Sequence, residues 1–88
     1  MRRKLVAGNW KMQGRQASNA ALLQSLKAQT ADWAGVDMWV APPAAYLMQV
    51  AGLLQGSGIA LAAQNVARES DGAFTGEISA GMLVDCGC

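Results

Sequence analysis

Hydrophobic residues along the chain gather in three short runs that are separated by longer, mixed segments. The runs cover residues 4–7, 36–41 and 59–63. They lack the strict alternation of polar and apolar positions, which is typical of parallel strands that are covered on both faces. The segments between them are long enough for a helical crossover. We therefore predict a βαβαβ order, followed by further elements.

The segments between the runs have the pattern of helices. The first predicts an amphipathic helix with Ser18 as its N-cap and Gly35 beyond its end, and its apolar face comprises Leu22, Leu23, Leu26 and Trp33. A second helix is predicted to follow Pro42-Pro43 and to run towards Gly56. It is apolar nearly all round, so we expect it to be covered on more than one side.

The last part of the chain is predicted to be a loop and a short helix. Residues 64–76 are polar and contain glycine, and a helical stretch from about Ser79 to Cys86 follows. No linker, charge block or low-complexity tract interrupts the order, so residues 1–88 are predicted to belong to one domain. We expect this domain to be unfinished at residue 88, where another strand would be due.

Composition narrows the class of partner. Hydrophobic residues make up 52% of the 88 positions and charged residues 15%, which is apolar for so short a chain. Seven basic and six acidic residues leave a net charge of +1, so neither nucleic acid nor an anionic membrane surface is predicted as a partner. The longest apolar segment, 44–54, is well short of the roughly 20 residues that span a bilayer. A membrane span is therefore not expected.

The residues that usually carry metal or nucleophilic chemistry are few. The chain has no histidine, which excludes Ser/His/Asp and Cys/His systems within it, and no metal site or cofactor is predicted. Cys86 and Cys88 are separated by one glycine, so a disulfide between them would be strained. We expect reduced thiols and a cytosolic setting. A free-standing α/β domain with a redox-active Cys86-Gly87-Cys88 end is left open as an alternative.

Polar residues follow the first and third runs. Asn9 and Lys11 come after the first, and Gln64 and Asn65 after the third. Ligands of parallel α/β folds gather at the carboxyl ends of the strands, and an ammonium there must reach water or meet a partner. These positions indicate a site for a small, oxygen-rich anion. Residues that only make local turns fit the same spacing.

Four segments resemble the triosephosphate isomerase family, in that family's order and spacing. They are Gly8-Asn9-Trp10-Lys11-Met12, Ala41-Pro42-Pro43, Ala63-Gln64-Asn65 and Gly72-Ala73-Phe74-Thr75-Gly76-Glu77-Ile78-Ser79, the last followed by Met82-Leu83 and Asp85. The family is a (β/α)8 TIM barrel of about 250 residues. The resemblance implies an α/β fold in which residues 1–88 are the N-terminal part, about three βα units, of a single barrel domain.

The resemblance also implies an activity. The family interconverts dihydroxyacetone phosphate and D-glyceraldehyde 3-phosphate in glycolysis and gluconeogenesis, in the cytoplasm and without a cofactor. By this resemblance Lys11 is a catalytic residue that holds the substrate phosphate and offsets the charge of the enediolate, while Asn9 orients the substrate. The catalytic glutamate and histidine of the family lie later in the sequence. Glu69 and Glu77 are therefore not assigned as the base, and the 88-residue chain alone is expected to be inactive.

A homodimer is the assembly that the resemblance implies. The loop around Thr75 reaches into the other subunit in the family, and the implied interface residues are Gln13, Gln64, Phe74, Thr75 and Gly76. Gln13 stands where family members commonly carry asparagine. Open strand edges recruit other chains, so a self-associating α/β interaction fragment without catalysis remains an alternative. In either case we expect another chain, or a complementing barrel fragment, to cover those edges.

Overall fold

The computed structural model describes residues 2–88, and its backbone forms a parallel sheet with helices between the strands. The strands are β1 (Lys4–Asn9), β2 (Val36–Ala41) and β3 (Ala60–Leu61), in the order β1-β2-β3. The helices are α1 (Gln16–Gln29), α2 (Leu47–Leu53) and α3 (Ala80–Asp85), with short 3₁₀ turns at Thr30–Asp32 and Ala44–Tyr46. The predicted βαβαβ order and α/β class are confirmed.

The strand boundaries follow the hydrogen-bonded pairing and depart from the apolar runs. β2 begins and ends where the pattern predicts. β1 continues for two residues beyond its apolar run, because Gly8 pairs with Val40 and Asn9 with Ala41. β3 is shorter than its run, although the Ala62 N–H still donates to the carbonyl of Val40 at 2.8 Å. The length of a strand depends on hydrogen bonds to the backbone of its neighbour. The hydrophobicity of the side chains does not show where these bonds begin and end.

Within residues 2–88, one core lies between the sheet and its helices. Its wholly or almost wholly buried side chains are Leu23, Val40, Val50, Leu54 and Ile59. Alternate residues of a strand point to opposite faces, so the side of β2 that carries Val40 is the side against which the helices pack. Burial of side chains of this size stabilises the fold by about 1.5–3 kcal/mol each.

The opposite face of the sheet is open, so residues 2–88 by themselves supply the predicted cover on one face only. Leu5 is 49% exposed and Trp39 on the neighbouring strand is 44% exposed. Leu5 pairs with Asp37, and Asp37 and Trp39 alternate with Val40 along β2. An apolar run shows that a strand has two apolar faces. It does not show which part of a protein covers each face.

The start of α1 also differs from the prediction. Ser18 is not the N-cap but the third residue of the helix, and Arg15 occupies the N-cap position. The Arg15 N–H donates to Ser18 Oγ at 3.0 Å, and the Ser18 hydroxyl donates to the Arg15 carbonyl at 3.1 Å. Of the three leucines assigned to the apolar face, Leu23 is fully buried and Leu26 half-buried, but Leu22 is 46% exposed. The buried face of α1 is therefore narrower than the apolar face that the sequence predicts.

The helix after Pro42-Pro43 forms as predicted, with a 3₁₀ turn in front of α2. Leu47 and Val50 point into the core, whereas Met48 is 71% exposed, so the side of α2 that carries Met48 is uncovered. Taken over residues 2–88, no helix combines the length and the hydropathy needed to cross a membrane.

The short helix at the end of the chain is confirmed as α3. Ser79 is its N-cap, and the hydroxyl oxygen of Ser79 accepts a hydrogen bond from the N–H of Met82 at 3.2 Å. Cys86 is its C-cap. Since one of the first free N–H groups of a helix is satisfied in this way, the cap stabilises a helix of only six residues.

Replacing Ser79 by alanine is expected to lower the free energy of unfolding by about 0.5–2 kcal/mol, because the Met82 N–H loses its partner, the hydroxyl of the buried Ser79. Urea denaturation measures this change. Ser25→Ala, at an exposed position within α1, is the matched control and should cause no loss. An equal loss in the two variants would contradict the capping role.

Candidate functional site

The segment that follows β1 carries the first predicted site residues and has an unusual backbone. Lys11 adopts a positive φ of 56°, and no other residue than glycine does so within residues 2–88. The amide oxygen of Asn9 accepts a hydrogen bond from the Lys11 N–H at 3.0 Å. A residue with a side chain pays a conformational cost at such a φ, and it persists where the surroundings hold it in place.

Gln64, which follows the strand at the other edge of the sheet, makes a second hydrogen bond to Lys11. Its side-chain Nε2 donates to the carbonyl of Lys11 and to the carbonyl of Ala41, each at 2.8 Å. These three residues follow or end β3, β1 and β2 respectively. The side-chain amide of Gln64 thus connects the carboxyl ends of all three strands. Lys11 and Gln64 lie at the same edge of the sheet, as the sequence predicts.

The ammonium of Lys11 is available to a ligand. Lys11 is exposed, and the ion pairs formed by residues 2–88 join Arg3 to Asp37 and Arg68 to Glu69. Asn9 behaves differently, because its amide oxygen already serves the local turn. The oxygen of the Asn9 amide therefore makes a local turn, as the alternative interpretation predicts. The nitrogen of the same amide is left as a hydrogen-bond donor.

Three residues behind the Lys11 segment were not identified from the sequence. Tyr46 donates its hydroxyl to the carbonyl of Gly14 at 3.2 Å, and Asn19 donates to Gln49 at 3.0 Å. The only sequence signal was Asn19 itself, an amide one helical turn before the buried Leu23 and therefore on the apolar face of α1. Its partner is 30 residues away, and no local pattern indicates it.

Three of the residues predicted for an interface, Phe74, Thr75 and Gly76, lie on one loop. Its base is closed by a hydrogen bond from the Ala67 N–H to the Ile78 carbonyl at 2.8 Å. Phe74 is 47% exposed and packs over Gly72, where an added Cβ would approach the ring to 2.7 Å at a φ of +133°. Thr75 is exposed beside it. The glycine therefore fixes how this loop presents its aromatic ring.

Gln13 and Gln64, the other predicted interface residues, differ in what they contact. Gln13 is exposed and lines an open cavity of about 470 Å³ together with Asn9, Trp10 and Asn19. Gln64 is exposed as well, but its side-chain Nε2 donates to the carbonyls of Lys11 and Ala41. Gln64 is thus held by contacts within the chain.

The two cysteines are free thiols at the end of α3. The Cys88 N–H donates to the carbonyl of Leu83 at 3.0 Å and closes the helix. Partial burial raises the pKa of the Cys88 thiol above its usual value, and the neighbouring Cys86 adds to this. Since the thiolate is the reactive form, a raised pKa disfavours the redox-active alternative. Nowhere in 2–88 do three or more Cys, Asp or Glu side chains form a group that could hold a metal ion.

Comparison with known proteins assigns the family. The family model for triosephosphate isomerase matches residues 4–88. The triosephosphate isomerase of Paracidovorax citrulli is 56% identical over 88 residues, and those of Thiobacillus denitrificans and Dechloromonas aromatica are 54% and 50% identical. The alignments cover 98–100% of this chain and 34–35% of those proteins, so the chain spans about a third of the length of the relatives it matches. With its parallel βα units and this match, the chain belongs to the triosephosphate isomerase family.

Proposed function

We propose that residues 1–88 are the N-terminal part of a single barrel domain that interconverts dihydroxyacetone phosphate and D-glyceraldehyde 3-phosphate. The observation that carries the proposal is the Lys11 backbone, held at a φ of 56° by Asn9 and Gln64 at the carboxyl edge of the sheet. Barrel enzymes bind their substrates at this edge. The backbone from which the exposed Lys11 side chain extends is thus held at this edge by contacts within the chain.

Lys11 and Asn9 would act on different parts of the substrate. The Lys11 ammonium attracts the phosphate and offsets the negative charge that develops on the enediolate, which lowers the barrier because the charge is already in position. The nitrogen of the Asn9 amide donates to a substrate oxygen, since the oxygen of that amide is engaged by the Lys11 N–H. Neither group accepts the proton that moves.

The acid and base of the reaction come from outside these 88 residues. Triosephosphate isomerase is itself the standard example of a carboxylate base that works beside a neutral histidine. Residues 1–88 contain no histidine. We therefore propose that this segment supplies substrate binding and charge stabilisation, in a reducing compartment such as the cytoplasm, where free cysteines persist.

Two surfaces support an assembly. The open sheet face with Leu5 and Trp39 would be covered by the remaining strands and helices of the barrel. The loop with Phe74, Thr75 and Gly76 would enter a second subunit, with Gln13 at the same interface. Self-association without catalysis is the second candidate, and the open sheet face favours it as well.

A chimera tests the proposal. Residues 1–88 replace the matching segment of the Paracidovorax citrulli isomerase, and we call the product the barrel chimera. We expect the barrel chimera to interconvert the two triose phosphates and to sediment as a dimer, while an 88-residue polypeptide alone shows no turnover. A folded but inactive barrel chimera would refute the catalytic proposal. Turnover by the 88-residue polypeptide would refute the division of roles between the two parts of the barrel.

A further inference from the structure

An amide pair joins α1 to α2 directly behind the Lys11 segment. Asn19 is only 2% exposed, and its Nδ2 donates to Oε1 of Gln49 at 3.0 Å. The Nε2 of Gln49 donates in turn to the carbonyl of Gln16 at 2.8 Å, in the first turn of α1. Burying an amide costs free energy unless it is hydrogen-bonded. Asn19 is therefore held in one orientation by its partner on α2.

This pair touches the loop at Gly14. A Cβ added to Gly14 would lie 2.5 Å from Oδ1 of Asn19, so the buried amide presses directly against the Gly14 backbone. The φ of Gly14 is +126°, a conformation that other residues rarely adopt. Tyr46, just before α2, donates its hydroxyl to the carbonyl of the same glycine at 3.2 Å. Gly14 is thus contacted by one residue of α1 and by the residue that precedes α2.

Fixing Gly14 constrains Lys11, three residues earlier in the same loop. The amino side of the loop is held by Asn9 and Gln64 at Lys11. Its carboxyl side is held at Gly14 and then enters α1 at Gln16. With both ends tied, the strained φ of Lys11 is imposed by the loop as a whole.

We propose that Asn19, Gln49 and Tyr46 are positioning residues that place the Lys11 ammonium for an anionic substrate by fixing Gly14. This inference rests on the proposed function of Lys11. The three side chains act through the loop backbone and do not contact the substrate. A misplacement of about 1 Å caused by a distant mutation is enough to weaken the action of a group on the substrate.

The barrel chimera with Asn19→Leu separates positioning from stability. Loss of Asn19 leaves the Oε1 of Gln49 without its hydrogen-bond donor, so this variant is expected to melt at a lower temperature. The double variant Asn19→Leu/Gln49→Met removes both polar partners and is expected to recover the melting temperature. In both variants we expect the KM for the triose phosphate and the Ki for inorganic phosphate to be about fivefold higher than in the parent chimera. This increase corresponds to about 1 kcal/mol. A double variant with the KM and Ki of the parent would overturn the proposal.

Tyr46→Phe is an independent variant that adds no bulk and removes only the hydroxyl that binds Gly14. It is expected to raise KM and the phosphate Ki in the same direction, with kcat less affected, and unchanged values would overturn the role of Tyr46. Gln24→Leu, on the exposed face of α1, is the matched control and should change neither quantity. An inactive parent chimera would instead refute the proposed function itself, which distinguishes the two failures.

Discussion

Replacing Lys11 by methionine in the barrel chimera is expected to lower kcat/KM by about 100- to 1,000-fold, the usual cost of removing one pre-positioned charge-stabilising group. Methionine keeps the length of the side chain and the cost of the positive φ, so the change removes mainly the charge. The Ki for inorganic phosphate should rise as well, since the ammonium is exposed and has no carboxylate partner among the ion pairs of residues 2–88. Steady-state kinetics in both directions of the reaction measures the loss.

Lys4→Met is the control for this experiment. Lys4 is an exposed lysine at the opposite end of the same strand, so its replacement removes an equal charge far from the proposed site. We expect the activity of this variant to stay close to that of the parent. Equal losses in the two lysine variants would show that net charge, and not the placement of Lys11, governs the rate.

Replacing Leu23 by alanine is expected to lower the free energy of unfolding by about 2–5 kcal/mol, the range for buried leucines that leave a cavity. Leu23 is fully buried and packs within the cluster that contains Val40 and Val50. These residues join α1 to the sheet and to α2, so little of the surrounding structure is free to close over the space. The shift is measured by urea denaturation of the barrel chimera at one protein concentration, because assembly also stabilises a dimer.

Leu22→Ala provides a matched comparison on the same helix. Leu22 is 46% exposed, so we expect its truncation to cost well under half as much as that of Leu23. The sequence alone assigns both leucines to one apolar face. If both variants lose the same stability, the side of α1 that carries Leu22 is covered in the assembled protein, and the burial seen in residues 2–88 is incomplete there.

The elements and the family were readable from local patterns. Apolar runs and the Pro42-Pro43 dipeptide predicted the strands and α2, and Ser79 marked the start of α3. The segment Gly72–Ser79 carried the resemblance that the family match later confirmed. The errors were local as well. Ser18 was predicted to be the N-cap of α1, but it is the third residue of the helix. Asn9 was predicted to follow the first strand because it is polar, but its backbone pairs with Ala41 as part of β1.

The sequence by itself therefore determined the order of the strands and helices, the family, and the presence of Asn9 and Lys11 after the first apolar run. Each depends on residues within a few positions of one another, because propensity, capping and side-chain periodicity act over one or two turns. Only the tertiary structure decided which residues hold Lys11 in place. Gln64 lies 53 residues from Lys11, Tyr46 lies 32 from Gly14, and Gln49 lies 30 from Asn19. Contacts at such separations exist only after the helices have packed on the sheet, since packing brings distant backbone and side-chain groups within hydrogen-bonding distance.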